Sequence, residues 1–202
     1  MKFRIIATGS RGNAVLYDHC LVDVGVPYAS LEPFMKDVKI IFLTHIHNDH
    51  FNLRTLKRIS KLHPTIPIVC CDWLSKTLGE IKHHVLEIGK VYDFGYVKAS
   101  PVKLYHDVPN CGWRLFIGNE KIFHATDTAH LRGISASGYD IYGIEHNYDE
   151  NEVDDIIELK RQNHQFAHEI GAKESHLSIQ QAEEFIFLNA KGKYEVLKLH
   201  GH

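Results

Sequence analysis

The run Val38–Leu43, apolar at every position but Lys39, leads directly into Thr44-His45-Ile46-His47-Asn48-Asp49-His50. Such a run reads as a strand buried on both faces, and strands of that kind belong to sheets covered by helices. The end of a buried strand is rigid, and the loop leaving it can turn several side chains toward one point. Three histidines and one aspartate fall within this loop. His45 and His47, separated by one residue, can face one metal ion, and Asp49 and His50 can face a second. Imidazole and carboxylate suit zinc, and also manganese(II) or iron(II). Residue types, spacing and strand context together argue against a polar loop with incidental histidines.

The remaining chain supports the same fold class. Strands are expected at Phe3–Ala7, Ala14–Tyr17 and Leu21–Val24, with a Gly-Ser-Arg-Gly-Asn turn at 9–13. Further strands are expected at Ile66–Cys70, Val97–Tyr105, Trp113–Ile117, Lys121–Phe123, Asp140–Ile144 and Tyr194–Leu199. Helical spacing of apolar residues predicts a short helix over Leu31–Lys36 and longer ones over Leu53–Leu62, Glu152–Glu169 and Ser178–Leu188. Ser178 and Gln181 have the spacing of a capping box. Strands dominate the first two thirds and helices recur between them. This fits a compact α/β sandwich in one domain, 1–202, better than an alternating Rossmann array.

Composition narrows the function classes. The formal charge of −2 lacks the strongly basic footprint of a protein that grips long nucleic acid electrostatically. The four cysteines, Cys20, Cys70, Cys71 and Cys111, form no CxxC pair and read as buried free thiols. No apolar run spans a bilayer and no signal-peptide pattern opens the sequence, so a cytoplasmic protein without a membrane partner is expected. Sixteen histidines are unusual, and their spacing decides whether they matter.

His-Ile-His-Asn-Asp-His resembles the HxHxDH signature of the metallo-β-lactamase superfamily, and the resemblance implies a four-layer αββα sandwich. It also implies further ligands in order, each closing a strand: a histidine, an aspartate and a C-terminal histidine. His106, Asp127 and His200 fill those slots. By resemblance, His45, His47 and His106 hold one divalent ion, Asp49, His50 and His200 hold the other, and Asp127 bridges them. His202 is an alternative to His200, since residues two apart point the same way from an extended strand. Leu21-Val22-Asp23-Val24-Gly25 resembles the family's LIDxG segment, whose aspartate supports the metal loop.

Weaker segments point to a branch of the family. Gly9–Asn13 resembles the GSxGN opening of a small bacterial and phage branch. Glu145–Asp149 resembles that branch's ExNxD segment, and His176-Leu177-Ser178 resembles its HLS. Glu145 and His176 are thereby implied as proton-transfer or supporting groups. His164 and His168, four apart on the expected helix, lack the glutamate of an HExxH zinc site and read as exposed. His63, His83 and His84 lie in turn-like sequence and read as solvent-facing. His124 and His130 flank the Asp127 segment without a spacing that selects either.

The implied chemistry is hydrolysis, in which two metals share a water and make it acidic enough to attack at neutral pH, with Asp49 orienting it. The branch segments favour a phosphodiester, in the manner of exonuclease-like and cyclic-nucleotide phosphodiesterase relatives. Between Asp127 and His200 there is no long insertion of the kind carried by larger nucleic-acid-processing members. A short substrate is therefore expected, either a cyclic nucleotide or a nucleic-acid end. A carbon-centred hydrolase acting on a thioester or lactone is the alternative, and a di-iron redox or metal-sensing protein is a third reading. No lid segment is evident, so a homodimer whose neighbour covers the site is also an expectation.

Overall fold

The computed structural model describes residues 3–201. The chain divides after Pro101 into two compact units. The first holds β1 (Phe3–Ala7), β2 (Ala14–Tyr17), β3 (Cys20–Val22), α1 (Tyr28–Leu31), β4 (Ile40–Phe42), α2 (Leu53–Leu62), β5 (Ile68–Cys70), α3 (Asp72–Leu78), β6 (His83–Val85) and β7 (Tyr92–Asp93). Strand β8 (Lys98–Tyr105) runs across the division. The second unit continues with β9 (Pro109–Ile117), β10 (Glu120–Ala125), β11 (Ile141–Glu145), α4 (Val153–Gln162), α5 (Glu169–Ser175), α6 (Ile179–Asn189) and β12 (Glu195–Leu199).

The first sheet has the order β1-β2-β3-β4-β5-β6. Its first three strands are antiparallel neighbours, and β3 through β6 are parallel. Strand β4 is buried along its whole length, which explains its unbroken apolar sequence. Helix α2 packs Leu56 and Ile59 into the same core as Leu21, Leu43 and Ile68. Each such side chain contributes on the order of 2 kcal/mol.

The second sheet has the order β12-β11-β10-β9-β8-β7. Strands β9 and β10 pair antiparallel, whereas β10, β11 and β12 are parallel. Its core gathers Phe123, Tyr142, Ile144 and Leu177 with Phe185 and Ile186 of α6. Both sheets are mixed and flanked by helices, the expected α/β class.

Four expectations need correction. Glu152–Glu169 is not one helix: it stops at Gln162, and α5 starts at Glu169. His164 adopts a left-handed φ of 53°, a conformation that ends helices. His164 and His168 therefore share no helix face, although both are exposed as expected. The helix expected at Leu31–Lys36 lies earlier, at Tyr28–Leu31, and passes into a 3-10 turn at Glu32–Phe34. Helix α3 is unanticipated, and His83 and His84 lie on β6 rather than in a turn. His83 is held there by Ser75 Oγ at 2.8 Å, and His63 by the Tyr28 hydroxyl at 2.9 Å. All four cysteines are buried free thiols, and burial pushes Cys20 and Cys70 up to about 12. Among the described residues no helix is long and apolar enough to cross a membrane.

Candidate metal centre

In the first unit, the sequence between β4 and α2 gathers its donors into one loop. The His45 ring lies 4.9 Å from that of His47 and 4.3 Å from that of His50, centroid to centroid. Asp49 Oδ2 is 3.5 Å from His50 Nε2. Asp23, just after β3, is the clamp. Its carboxylate accepts from the Thr44 amide (2.9 Å) and the Thr44 hydroxyl (2.9 Å to Oδ2), and it meets His50 Nδ1 at 2.6 Å. His50 Nδ1 therefore carries the hydrogen, and the lone pair sits on Nε2. The same reasoning extends to His45. The Thr44 hydroxyl spends its hydrogen on Asp23, so its oxygen accepts from His45 Nδ1 at 2.9 Å. His45 too presents Nε2 as a base.

Two features of this loop escaped sequence reasoning. Asn13, buried in the glycine turn, accepts from the Gly9 amide and points its Nδ2 at the Asp49 carbonyl (3.2 Å), Asp49 Oδ2 (3.2 Å) and His50 Nε2 (2.8 Å). Trp73 of α3 donates its indole N–H to the Thr44 carbonyl at 3.2 Å. The GSxGN resemblance held the signal for Asn13, and nothing in the sequence announced Trp73. Gly25 shows how tightly the loop is seated: a Cβ there would lie 1.6 Å from the Asp49 carbonyl oxygen.

In the second unit the donors come from separate strand ends. His106 follows β8, Asp127 follows β10, Glu145 ends β11 and His200 follows β12. His106 donates its Nδ1 hydrogen to the Ser175 carbonyl at 2.8 Å, and its Nε2 lies 3.0 Å from Asp107 Oδ1. Asp127 Oδ2 lies 3.8 Å from His106 Nε2, and Asp127 Oδ1 lies 3.7 Å from His200 Nε2. These separations are too long for hydrogen bonds. They are close to the roughly 3.4 Å expected between two ligand atoms about 2.1 Å from a shared tetrahedral cation. The donor set thus fits divalent metal. His200 Nδ1 meets the Asn147 amide at 3.0 Å. The alternative terminal ligand, His202, lies outside the described residues.

Glu145, fully buried, organises this half. It accepts from the amides of Asp127 (2.9 Å), Thr128 (2.9 Å) and Leu177 (2.6 Å) and from His176 Nδ1 (3.0 Å). Asn110, absent from the expected set and carrying no distinctive local pattern, donates to the carbonyls of Thr126 (3.0 Å) and Asp127 (2.6 Å). His176 stacks on His200 at 5.1 Å and meets the His106 ring edge at 5.0 Å. Donor atoms of Asp127, Glu145, His176 and His200 lie within 4.8 Å of one another. Burial pulls the His176 imidazole down, but the Glu145 hydrogen bond and the charges of Glu145 and Asp127 outweigh it and raise the ring above its ordinary value. His124 is buried in β10, and the His130 ring lies tilted against Tyr105 at 4.3 Å.

Backbone strain marks both halves. Asp23, Asp127 and His200 have φ of 63°, 55° and 51°. Side-chain-bearing residues reach that region at a cost of about 1 kcal/mol or more, and such residues cluster at functional sites.

Two mixed sheets and imidazole–carboxylate clusters at their strand ends define an α/β protein built to bind divalent metal. The chain belongs to the metallo-β-lactamase superfamily: the model of the beta-lactamase superfamily domain matches residues 18–189. Solved structures share the fold over nearly the whole chain. The metallo-beta-lactamase fold protein YhfI from Bacillus subtilis is 16% identical, with a TM-score of 0.75 over 99% of this chain and 86% of its own. The short form of human tRNase Z is 19% identical, with a TM-score of 0.72 over 100% and 93%. A diphosphatase from the PhnP family is 14% identical, with a TM-score of 0.66 over 98% and 86%. No curated protein matches the sequence.

Proposed function

We propose that this protein is a phosphodiesterase using two divalent metal ions, most simply zinc. In this reading His45, His47 and His106 hold one ion, Asp49, His50 and His200 hold the other, and Asp127 serves both. The reading rests on Asp127, whose two carboxylate oxygens face the Nε2 atoms of two different histidines. The fixed Nδ1 hydrogen of His45 supports it, because that ring then offers Nε2 as a ligand. When bound, such a pair of ions supplies an acidified water and positive charge against a developing oxyanion.

The chain's own groups complete the chemistry. Asp49 orients the attacking water. His176 donates its Nδ1 hydrogen to Glu145, so the ring takes up and releases its exchangeable proton at Nε2. From there it passes a proton to the leaving oxygen of the substrate, which an alkoxide or ribose oxygen requires. Glu145 is a positioning residue, since its carboxylate is occupied by N–H donors. A tRNase and a diphosphatase among the structural relatives favour phosphoester over thioester chemistry. The substrates proposed are nucleotides, including cyclic nucleotides, and nucleic-acid ends.

The test is an assay of cyclic nucleotides, single- and double-stranded DNA, and a thioester, each with zinc or manganese. Turnover of a phosphodiester is expected. His176→Ala should lower kcat about 10²–10⁴-fold on nucleotide leaving groups. It should cost far less on p-nitrophenyl esters, whose leaving group needs no proton, and leave metal content unchanged. Thioester hydrolysis without phosphodiester turnover would overturn the reading.

A further inference from the structure

Helix α2 begins three residues after His50, and its sequence Leu-Arg-Thr-Leu-Lys-Arg-Ile-Ser-Lys-Leu divides cleanly. Thr55, Leu56 and Ile59 are buried, whereas Arg54, Lys57, Arg58 and Lys61 are all exposed. Those four recur at i, i+3, i+4 and i+7, so they line one face. The helix holds no acidic residue to neutralise them. Among the described residues, none of the four belongs to a salt bridge. Four unneutralised cations on ten residues stand out in a chain whose net charge is −2.

The surface along this ridge is concave at both ends. A cleft of about 440 Å³ opens at the first turns, lined by Tyr28, Asn52, Arg54, Thr55 and Arg58. There the Arg58 guanidinium lies 4.5 Å over the Tyr28 ring, which holds it in place. A second hollow of about 500 Å³ lies beside Lys57, Ser60 and Lys61. Seven residues of helix separate Arg54 from Lys61, a rise of about 10 Å. That length suits two to four successive backbone phosphates and exceeds what one nucleotide can use.

We infer that the exposed face of α2 is a track for the backbone of single-stranded DNA or RNA, guiding a strand end toward the metal loop that precedes the helix. The inference rests on the phosphodiesterase reading and narrows it to nucleic-acid ends rather than cyclic nucleotides. A membrane surface fits less well. Bilayer-bound helices bury an apolar face in lipid, and the apolar face of α2 is already committed to the protein core. In a chain of net negative charge, a face carrying four cations and no anion is a preferred one for a polyanion.

The test compares the wild-type protein with Arg54→Gln/Lys57→Gln/Arg58→Gln/Lys61→Gln. Binding is read by fluorescence anisotropy with a labelled phosphorothioate oligonucleotide that resists cleavage. Wild-type affinity should fall between 50 and 200 mM salt, by about 7-fold for two phosphate contacts and about 50-fold for four. The variant should bind at least about 10-fold more weakly at the lower salt, with most of the salt dependence gone. If it unfolds through loss of the Arg58–Tyr28 contact, the triple variant that keeps Arg58 replaces it. Equal binding by wild type and variant, or no oligonucleotide binding by wild type, overturns the track. So does ridge-dependent binding to phosphatidylserine vesicles without oligonucleotide binding. Turnover of bis(p-nitrophenyl) phosphate, too short to reach the ridge, is measured in parallel. If wild type lacks that turnover but binds oligonucleotide through α2, the phosphodiesterase reading fails and the track stands. Turnover without salt-dependent binding rejects the track alone.

Discussion

The two units solve the same problem in opposite ways. The first takes its donors from one short loop and fastens that loop from outside, through Asp23, Asn13 and Trp73. The second takes its donors from three strand ends and fastens them from a fourth, through the single carboxylate of Glu145. Adjacent ligands need only orientation, because the covalent chain already keeps them together. Dispersed ligands need cross-links, and here backbone amides supply them. Asp23 therefore acts mainly on imidazole tautomers, and Glu145 mainly on chain geometry.

The severest way to break this contrast is Gly25→Ala. The new Cβ would collide with the Asp49 carbonyl oxygen and sit 2.8 Å from the Asn13 amide nitrogen, both backbone atoms that cannot step aside. A loss above about 4 kcal/mol is expected in urea unfolding, with metal binding lost as well. A stable Gly25→Ala protein would mean the loop is not seated as described. Next comes Glu145→Ala, which strands the amides of Asp127, Thr128 and Leu177 inside the protein. About 3–4 kcal/mol is expected, also by urea unfolding. A loss below about 1 kcal/mol would remove Glu145 as the organising centre.

Asp23→Asn should behave differently. The amide can still accept from Thr44, but it no longer obliges His50 Nδ1 to hold the hydrogen. Metal affinity should fall about 10–100-fold while most of the fold stability stays. Competition with a chelator measures the first and urea unfolding the second. The reverse pattern, lost stability with intact affinity, would make Asp23 a fold clamp like Glu145 and dissolve the distinction.

The same contrast explains what could be read before the structure. His45, His47, Asp49 and His50 are legible as candidates because side chains on one loop leave a spacing in the sequence. Asp127, His106 and His200 needed a family pattern, because strand ends that meet in space leave no local trace. Asn110 left no trace at all: its side-chain amide helps hold the Asp127 turn, and any polar strand residue looks the same. Strands with continuous burial, such as β4, and helices with clear caps, such as α6, were read within two residues. Helix α3 and the break between α4 and α5 were not. The first is short, and the second turns on one left-handed histidine whose φ no apolar spacing encodes.

The smallest effect is the most discriminating between the units. Asn52 caps α2 with one bond to the Thr55 amide at 3.0 Å. Ser178 caps α6 with a full capping box, and its hydroxyl also donates to Glu150. Either change to alanine should cost about 1 kcal/mol in urea unfolding, Ser178 somewhat more. Their consequences for turnover should separate. The loop before Asn52 is pinned by Asp23, Asn13 and Trp73, so a frayed α2 leaves its donors in place. The segment before Ser178 holds His176 and the Leu177 amide, which reach Glu145 only while the chain enters α6 at the capped angle. Ser178→Ala should therefore lower kcat at unchanged metal content, and Asn52→Ala should not. Equal effects on kcat would show that outside fastening protects the first unit no better than Glu145 protects the second.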